Sequence, residues 1–254
     1  MKAVVAETLE SLESYSLKDV EKPEPTKGQV LVRVAACGVG YVDALVALGR
    51  YQVKPPLPHT PGRELAGIVE KVGEGVTNVK PGDRVMTMAT NGFAEYALAP
   101  AAMVIPVPET LGFAEAASLP LNYLTASHGL KDRAALAEGE TVLIFGAAGG
   151  VGSAAIQVAK ALGARVIAAA STEEKRAFTL AHGADEAIDT DPDGWRDRVK
   201  GLTGGNGPDV VFDPVCGPLF EPAFRSLKWR GRHMVVGFVG GPIPALPSNL
   251  TLMK

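Results

Sequence analysis

The sequence predicts an α/β chain in two parts, a β-rich, barrel-like amino-terminal half followed by a doubly wound parallel sheet. Three observations carry this prediction. Residues 1–118 fall into short apolar and β-branched runs divided by prolines and glycines. From Leu119 onward, helical and strand-like patterns alternate, the order that lays helices on the faces of a parallel sheet. Within that second half, residues 141–163 pass from an apolar strand through a glycine-rich turn into an amphipathic helix.

In the first half, the opening run Met1-Lys2-Ala3-Val4-Val5-Ala6 is too short and too soon polar for a signal peptide, and reads as a first strand. Residues 29–36 and 66–73 have strand character, and 80–86 form a turn leading into another strand. Residues 43–48 suit a short helical turn. A domain boundary is expected between 118 and 119.

The second half is organised around Ala147-x-Gly149-x-x-Gly152, which has alanine where the common dinucleotide fingerprint has its first glycine. Gly149 lets backbone amides approach a pyrophosphate, and Gly152 lets the helix pack closely on its strand. The helix start at Gly150 and Val151 offers free N–H groups and a positive dipole end. Val151, Ala155, Val158, Ala159 and Leu162 are the predicted buried face of that helix. A second strand over 165–170 and a helix over 172–182 complete a βαβ unit. Further strands are expected at 186–189, 209–213 and 233–238, separated by helices at 195–202 and 219–227.

In binders of NAD an acidic residue near the end of the second strand holds the ribose 2′-hydroxyl. Here that strand ends Ala168-Ala169-Ala170-Ser171, with Lys175 and Arg176 just beyond. A hydroxyl and two cations suit a 2′-phosphate, so NADPH is the expected cofactor, bound by Ser171, Lys175 and Arg176. The alternative is that both cations belong to a solvated helix face, neighboured by Glu173 and Glu174.

Composition narrows the function classes. The chain has 254 residues, of which 46% are apolar, and a net charge of −3. That is enough for two cores, and the interspersed charges argue against nucleic acid or an anionic membrane as partner. No apolar run approaches the roughly 18 residues that span a bilayer. The two cysteines, Cys37 and Cys216, are far apart and outside any CxxC pattern. They read as buried thiols of a protein in a reducing compartment, the cytoplasm.

Over essentially its whole length the chain resembles the zinc-free branch of the medium-chain dehydrogenase/reductase superfamily, and most closely the NADPH:quinone oxidoreductases related to ζ-crystallin. The motifs that carry the resemblance are Cys37-Gly38-Val39-Gly40-Tyr41-Val42-Asp43, Gly49-Arg50-Tyr51, Pro61-Gly62-Arg63-Glu64-Leu65-Ala66-Gly67 and Val79-Lys80-Pro81-Gly82-Asp83-Arg84-Val85, with the glycine loop and Pro208-Asp209-Val210-Val211-Phe212-Asp213. The resemblance implies a GroES-like catalytic domain over 1–118 and a Rossmann domain over 119–254, with the active site in the cleft between them. It also implies hydride transfer from NADPH to a quinone or to an alkene conjugated to a carbonyl. A nucleotide-binding protein with little catalysis is the reading from another class.

Zinc-dependent relatives place a metal-binding cysteine where Gly40 stands, a histidine where Arg63 stands and a third ligand near Leu121, and none of these can coordinate as those ligands do. No metal is therefore expected. By resemblance Tyr51, Asp43 and Tyr123 are the catalytic candidates, Tyr51 lining the acceptor pocket and Asp43 ordering the adjacent loop and nicotinamide side, while Tyr123 and Thr125 enter the Rossmann domain near the cofactor, with Phe238 among the cofactor contacts. His128 is expected to be a satisfied structural histidine. Arg63 departs from the small or polar residue usual at its position. It could bind an acidic group, but pairing with Glu64 or Glu95 is the expectation. Residues 247–254 resemble the run that, in relatives, leads into a sixth Rossmann strand and a return to the catalytic domain. That sixth strand is expected to be missing, and it commonly makes the homodimer contact in the superfamily.

Overall fold

The computed structural model describes residues 1–254, which form two compact units, Met1–Leu121 and Asn122–Lys254. In the first unit, β1 (Lys2–Ala6) pairs antiparallel with β2 (Tyr15–Asp19). Then follow β3 (Gln29–Cys37), α1 (Tyr41–Ala47), β4 (Glu64–Val72), β5 (Arg84–Met88), β6 (Tyr96–Pro100), β7 (Val104–Pro106) and α2 (Phe113–Ala117). β3 to β7 make a five-stranded antiparallel sheet in the order β6-β3-β4-β5-β7. Isolated bridges tie β1 into this unit, Ala3 to Ala94 and Ala6 to His59. Alternate residues Val30, Val32, Leu65, Val69, Val85, Ala97 and Ala99 meet in one apolar cluster, the consequence of side chains pointing to opposite faces at every second position. On the other side, Ala116 and Ala117 of α2 pack with Ala66 and Val107.

β4 starts at Glu64, two residues before the apolar run that predicted it. The charged residue hid the strand's beginning. Its carboxylate is buried and accepts the Leu121 N–H at 2.9 Å, so an acidic side chain is tolerated inside because a backbone donor meets it.

α3 (Pro120–Ser127) begins at the end of the first unit, runs into the second and continues as a π-helical turn over His128–Arg133. β8 (Thr141–Ile144), α4 (Gly150–Ala161), β9 (Arg165–Ala169), α5 (Glu173–Ala181), β10 (Glu186–Ile188), α6 (Trp195–Leu202), β11 (Val210–Asp213), α7 (Phe220–Ser226) and β12 (Arg232–Val235) then alternate. The strands pair in parallel in the order β10-β9-β8-β11-β12. Val142, Ile144, Val166, Ala168, Val210 and Phe212 face α4, while Leu143, Phe145, Ile167, Ala169 and Val211 meet Trp195, Val199, Leu219, Ala223 and Leu227 on the opposite side. Both faces are covered, which is why these strands read as unbroken apolar runs.

Three expectations are adjusted. The buried stripe of α4 is wider than predicted, because Ala154 and Ile156 are buried as well, and Val151, Val158 and Leu162 only flank the core. The last strand ends at Val235 rather than 238, since the following segment turns back over the sheet end and Gly240 donates its N–H to the Val215 carbonyl at 2.8 Å. Of the two free thiols, Cys216 is buried but Cys37 only half-buried. Burial, aided by the charges of Asp43 and Glu64, nevertheless pushes the Cys37 thiol up to about 12. No helix is long and apolar enough to cross a membrane.

Arg232, the first residue of β12, donates to the Ala134 carbonyl at 2.8 Å and, through Nη1, to the Glu140 carboxylate at 2.9 Å. The guanidinium hydrogen bond holds the Glu140 carboxyl below its ordinary range, against the effect of partial burial. A carboxyl group depressed in the folded state adds stability above its unfolded pKa and loses it as pH falls through the folded one. Glu140→Gln should therefore lower Tm at neutral pH, with the deficit shrinking in acid. Thermal unfolding of both proteins between about pH 7 and pH 3 measures it.

Candidate functional site

The carboxyl ends of the parallel strands gather the residues of the nucleotide prediction. β8 runs through Phe145 into Gly146, whose φ of +55° makes the tight turn. This explains the alanine at 147: the left-handed residue is one position earlier, and Ala147 is fully buried with its N–H on the Ala169 carbonyl at 3.3 Å. Gly149 caps α4, and its carbonyl accepts the Ser153 N–H at 2.8 Å. The amides of Gly150, Val151 and Gly152 begin the helix and so have no carbonyl four residues back within it.

The glycines do different things. A Cβ on Gly152 would lie 2.2 Å from the Gly146 carbonyl oxygen and 2.7 Å from the Ala147 Cα, whereas one on Gly149 would come no closer than 3.3 Å to protein. Gly152 is thus the packing glycine. Gly149 and Gly150 are exposed, leaving a bare backbone surface at a helix N-terminus, which fits a pyrophosphate. On its other side Gly150 abuts Asn122 of α3, whose Oδ1 would be 2.9 Å from an added Cβ.

At the end of β9, Ser171 is exposed and Thr172 caps α5, accepting the Lys175 N–H at 3.2 Å. Arg176 turns back so that Nη1 donates to the Ala170 carbonyl at 3.1 Å, placing its guanidinium at the strand end. Neither Lys175 nor Arg176 is ion-paired with Glu173 or Glu174. Those two acids occupy the first turn of α5, where they complement the helix dipole.

A third wall was not foreseen. Asp213, closing β11, accepts the N–H groups of Val215 (2.9 Å) and Cys216 (2.8 Å) through Oδ1, while Oδ2 lies 3.2 Å from His233 Nε2. Both side chains are buried. The loop so held reaches the glycine turn, where Val215 Cγ2 would stand 3.2 Å from a Cβ on Gly146. Only the Asp213-Pro214 step hinted at it in sequence. Phe238 lies on the segment leaving β12 and is 39% exposed. Thr125 is half-buried on α3. Tyr123 donates its hydroxyl to Gln157 of α4 at 2.5 Å, and His128 is exposed, 3.0 Å from Asp132.

Tyr51 and Asp43 belong to the first unit. There Asp43, in the first turn of α1, accepts the Gly40 N–H at 2.8 Å through Oδ2 and the Gly62 N–H at 3.3 Å through Oδ1. Gly62 has φ +100°, and a Cβ there would fall 2.6 Å from the Phe93 nitrogen. Only glycine lets the 61–63 strap lie this close to its neighbour. A pocket of about 90 Å³ is lined by Asp43, Val46, His59, Arg63, Thr90 and Asn91, among others. Tyr51 is half-buried, and the Arg63 guanidinium carbon stands 5.4 Å from its ring centroid. Burial lowers the His59 pKa; Asp43 acts against this and Arg63 with it.

The expected pairing of Arg63 is absent. Glu64 is committed to the Leu121 amide and Glu95 to the Lys2 amide, the latter at 2.7 Å, and Arg63 forms its contact with the Tyr51 ring instead. Around Gly40, Arg63 and Leu121 no three His, Cys, Asp or Glu side chains come together as a metal-binding group.

A β-rich unit with a pocket, followed by a parallel sheet with a glycine-rich turn at its strand ends, defines a two-domain dehydrogenase/reductase. Residues 26–109 match the alcohol dehydrogenase GroES-like domain and residues 150–254 the zinc-binding dehydrogenase domain. The chain is 42% identical over 235 residues to quinone oxidoreductase-like protein 2 of Rattus norvegicus, covering 91% of this chain and 67% of that protein. With the quinone oxidoreductase of Sus scrofa it shares 42% over 233 residues, 91% of this chain and 70% of the relative. A mycobacterial protein solved in complex with NADPH superposes with a TM-score of 0.90 at 35% identity, over 99% of this chain and 78% of that one. The CurK enoyl reductase superposes at 0.89 with 28% identity, over 100% of this chain and 78% of that one. The chain belongs to the quinone oxidoreductase family of the medium-chain dehydrogenase/reductase superfamily.

Because an added methyl at 152 meets backbone rather than a flexible side chain, Gly152→Ala should cost about 1–3 kcal/mol. Chemical denaturation reads this as a lower midpoint. Gly149→Ala, which meets no such contact, should unfold close to wild type.

Proposed function

We propose that the protein is a zinc-independent reductase that passes a hydride from NADPH to a quinone or a similarly electron-poor acceptor. The observation that carries the cofactor choice is the end of β9. Arg176 donates to the Ala170 carbonyl there, and exposed Ser171 and Lys175 follow in the chain, a hydroxyl and two cations free of carboxylate partners, where an acid would serve NAD. The amides of Gly150, Val151 and Gly152 take the pyrophosphate, beside Gly149, whose own N–H is spent on the Gly146 carbonyl at 2.9 Å, with Thr125, Tyr123 and Phe238 toward the remainder of the nucleotide. Bound NADPH supplies the hydride. The protein's part is orientation, polar contact and exclusion of water.

Asp43 holds Gly40 and Gly62 together through its two oxygens, fixing the floor of the acceptor pocket. Tyr51, expected to line that pocket, is not among its lining residues and reaches it through Arg63, whose guanidinium carbon stands 5.4 Å from the Tyr51 ring centroid. Gly40, Arg63 and Leu121 supply no ligand set for zinc, so the acceptor must take up negative charge in its own π-system. A conjugated enone meets the same requirement, and the structural likeness to an enoyl reductase favours double-bond reduction as the second reading.

NADPH oxidation is expected with 1,4-benzoquinone or cyclohexenone, and NADH should serve poorly. The ratio of the two rates chooses between the readings, and absence of turnover with both, despite NADPH binding, would refute reductase activity in this chain. Lys175→Ala should raise the NADPH Kd by about tenfold, the loss of a charged hydrogen bond, and leave NADH binding unchanged. Equal losses would dismiss the 2′-phosphate role. Tyr51→Phe should change acceptor turnover more than NADPH affinity, as steady-state and binding measurements on the same variant will show.

A further inference from the structure

The feature left unused by the proposed reaction is Arg63. Its side chain is half-buried, lines the Asp43 pocket and lies over the Tyr51 ring at 5.4 Å. It makes no ion pair and no hydrogen bond. A guanidinium carries five N–H donors, and a cation–π contact engages the face of the group while satisfying none of them. Its N–H groups meet no protein acceptor and are not sealed from solvent, so the fork is open to an acceptor on a ligand.

The surrounding charge has the same sign. Residues 44–63 contain Arg50, Lys54 and Arg63 and no aspartate or glutamate, and none of the three cations is ion-paired. Asp43 is the carboxylate that lines the pocket, and both its oxygens are occupied by backbone donors, Gly40 at 2.8 Å and Gly62 at 3.3 Å. Glu64 accepts the Leu121 amide and packs against Gly38. His59 is held toward its neutral form by burial. Arg63 lines the pocket and Lys54 stands between two lining residues, Val53 and Pro55, and unpaired cations beside a carboxylate already committed to amides attract an anionic ligand.

We propose that Arg63 is the anion-recognising group of this pocket, and that the acceptors taken here carry a carboxylate, sulfonate or comparable oxyanion on a conjugated or aromatic framework. The inference rests on the reductase reading for the word acceptor, but recognition of the anion does not depend on turnover. Planar oxyanions match the fork geometry of arginine. The Tyr51 ring holds the guanidinium from one side, and Val46, Val53 and Pro55 give the pocket an apolar lining for the ligand's framework.

The test begins with redox-inert probes. Binding of naphthalene-2-sulfonate and of neutral 2-naphthol is measured by titration calorimetry on wild type, Arg63→Gln and Arg63→Lys. Arg63→Gln should weaken sulfonate binding by about tenfold or more and leave 2-naphthol within about twofold, while Arg63→Lys retains most of the sulfonate affinity. Sulfonate binding that Arg63→Gln leaves unchanged would overturn the proposal. So would a parallel loss of both probes, which would make Arg63 a wall of the pocket only. In a second arm, 1,4-naphthoquinone-2-sulfonate and 1,4-naphthoquinone are compared as acceptors, and Arg63→Gln should raise KM for the sulfonated quinone alone. If wild type turns over neither quinone yet binds the sulfonate through Arg63, the reductase reading fails and the anion site stands.

Discussion

The second unit depends on one close approach, that of α4 to the turn leaving β8. With a Cβ at position 152 the Gly146 carbonyl would be only 2.2 Å away, so the helix reaches this depth because the residue is glycine. That depth sets where the helix begins, and hence where its unpaired amides face solvent beside exposed Gly149 and Gly150. The rest of the unit supports it from behind. Ala154, Ala155, Ile156 and Ala159 are buried against the sheet, and the small side chains of the three alanines let the helix axis lie near the strands. On the far face, the packing of Phe145 and Trp195, with ring centroids 5.3 Å apart, keeps the strand end from moving.

The same turn is braced laterally by chemistry remote in sequence. Asp213 and His233 form a buried pair, and the Asp213 carboxylate gathers two successive amides of the 214–216 loop. Cys216 is left with φ +49°, an uncommon conformation for a residue with a side chain. The two hydrogen bonds offset its cost. Because Val215 touches the glycine turn, the loop after β11 and the loop after β8 form one surface at the switch point of the sheet, where ligands of such folds bind.

In the first unit a single carboxylate plays the corresponding part. Asp43 bridges the start of α1 and the Gly62 strap through backbone N–H groups, a charge-assisted contact stronger than a neutral one. It thereby brings Arg63 toward Tyr51. The two units thus reach their sites by the same means, glycines that permit close backbone approach and a carboxylate that ties a loop by its amides.

Much of this was legible in the sequence because periodicity and glycine spacing report local geometry directly. The parallel strands, the glycine loop and the helix that follows it appear where the apolar runs and turn residues place them, and family motifs along the chain identify the class. The misreadings have a common origin. Glu64 concealed the start of β4 because its carboxylate is satisfied by Leu121, a residue 57 positions away. The alanine at 147 left the tight turn unassigned, and it falls to Gly146 with φ +55°, since φ is a property of the folded loop. Arg63 was assigned a carboxylate partner from its neighbours in sequence, yet Glu64 and Glu95 are engaged elsewhere and Tyr51 lies under it. The Asp213–His233 pair has no local signature, as parallel strands bring together residues 20 apart. Sequence alone determined the elements and the glycine-rich turn, which depend on contacts within a few residues of one another. Which donors meet which acceptors was decided only by the tertiary fold, since each buried polar group takes whatever partner packing brings within reach.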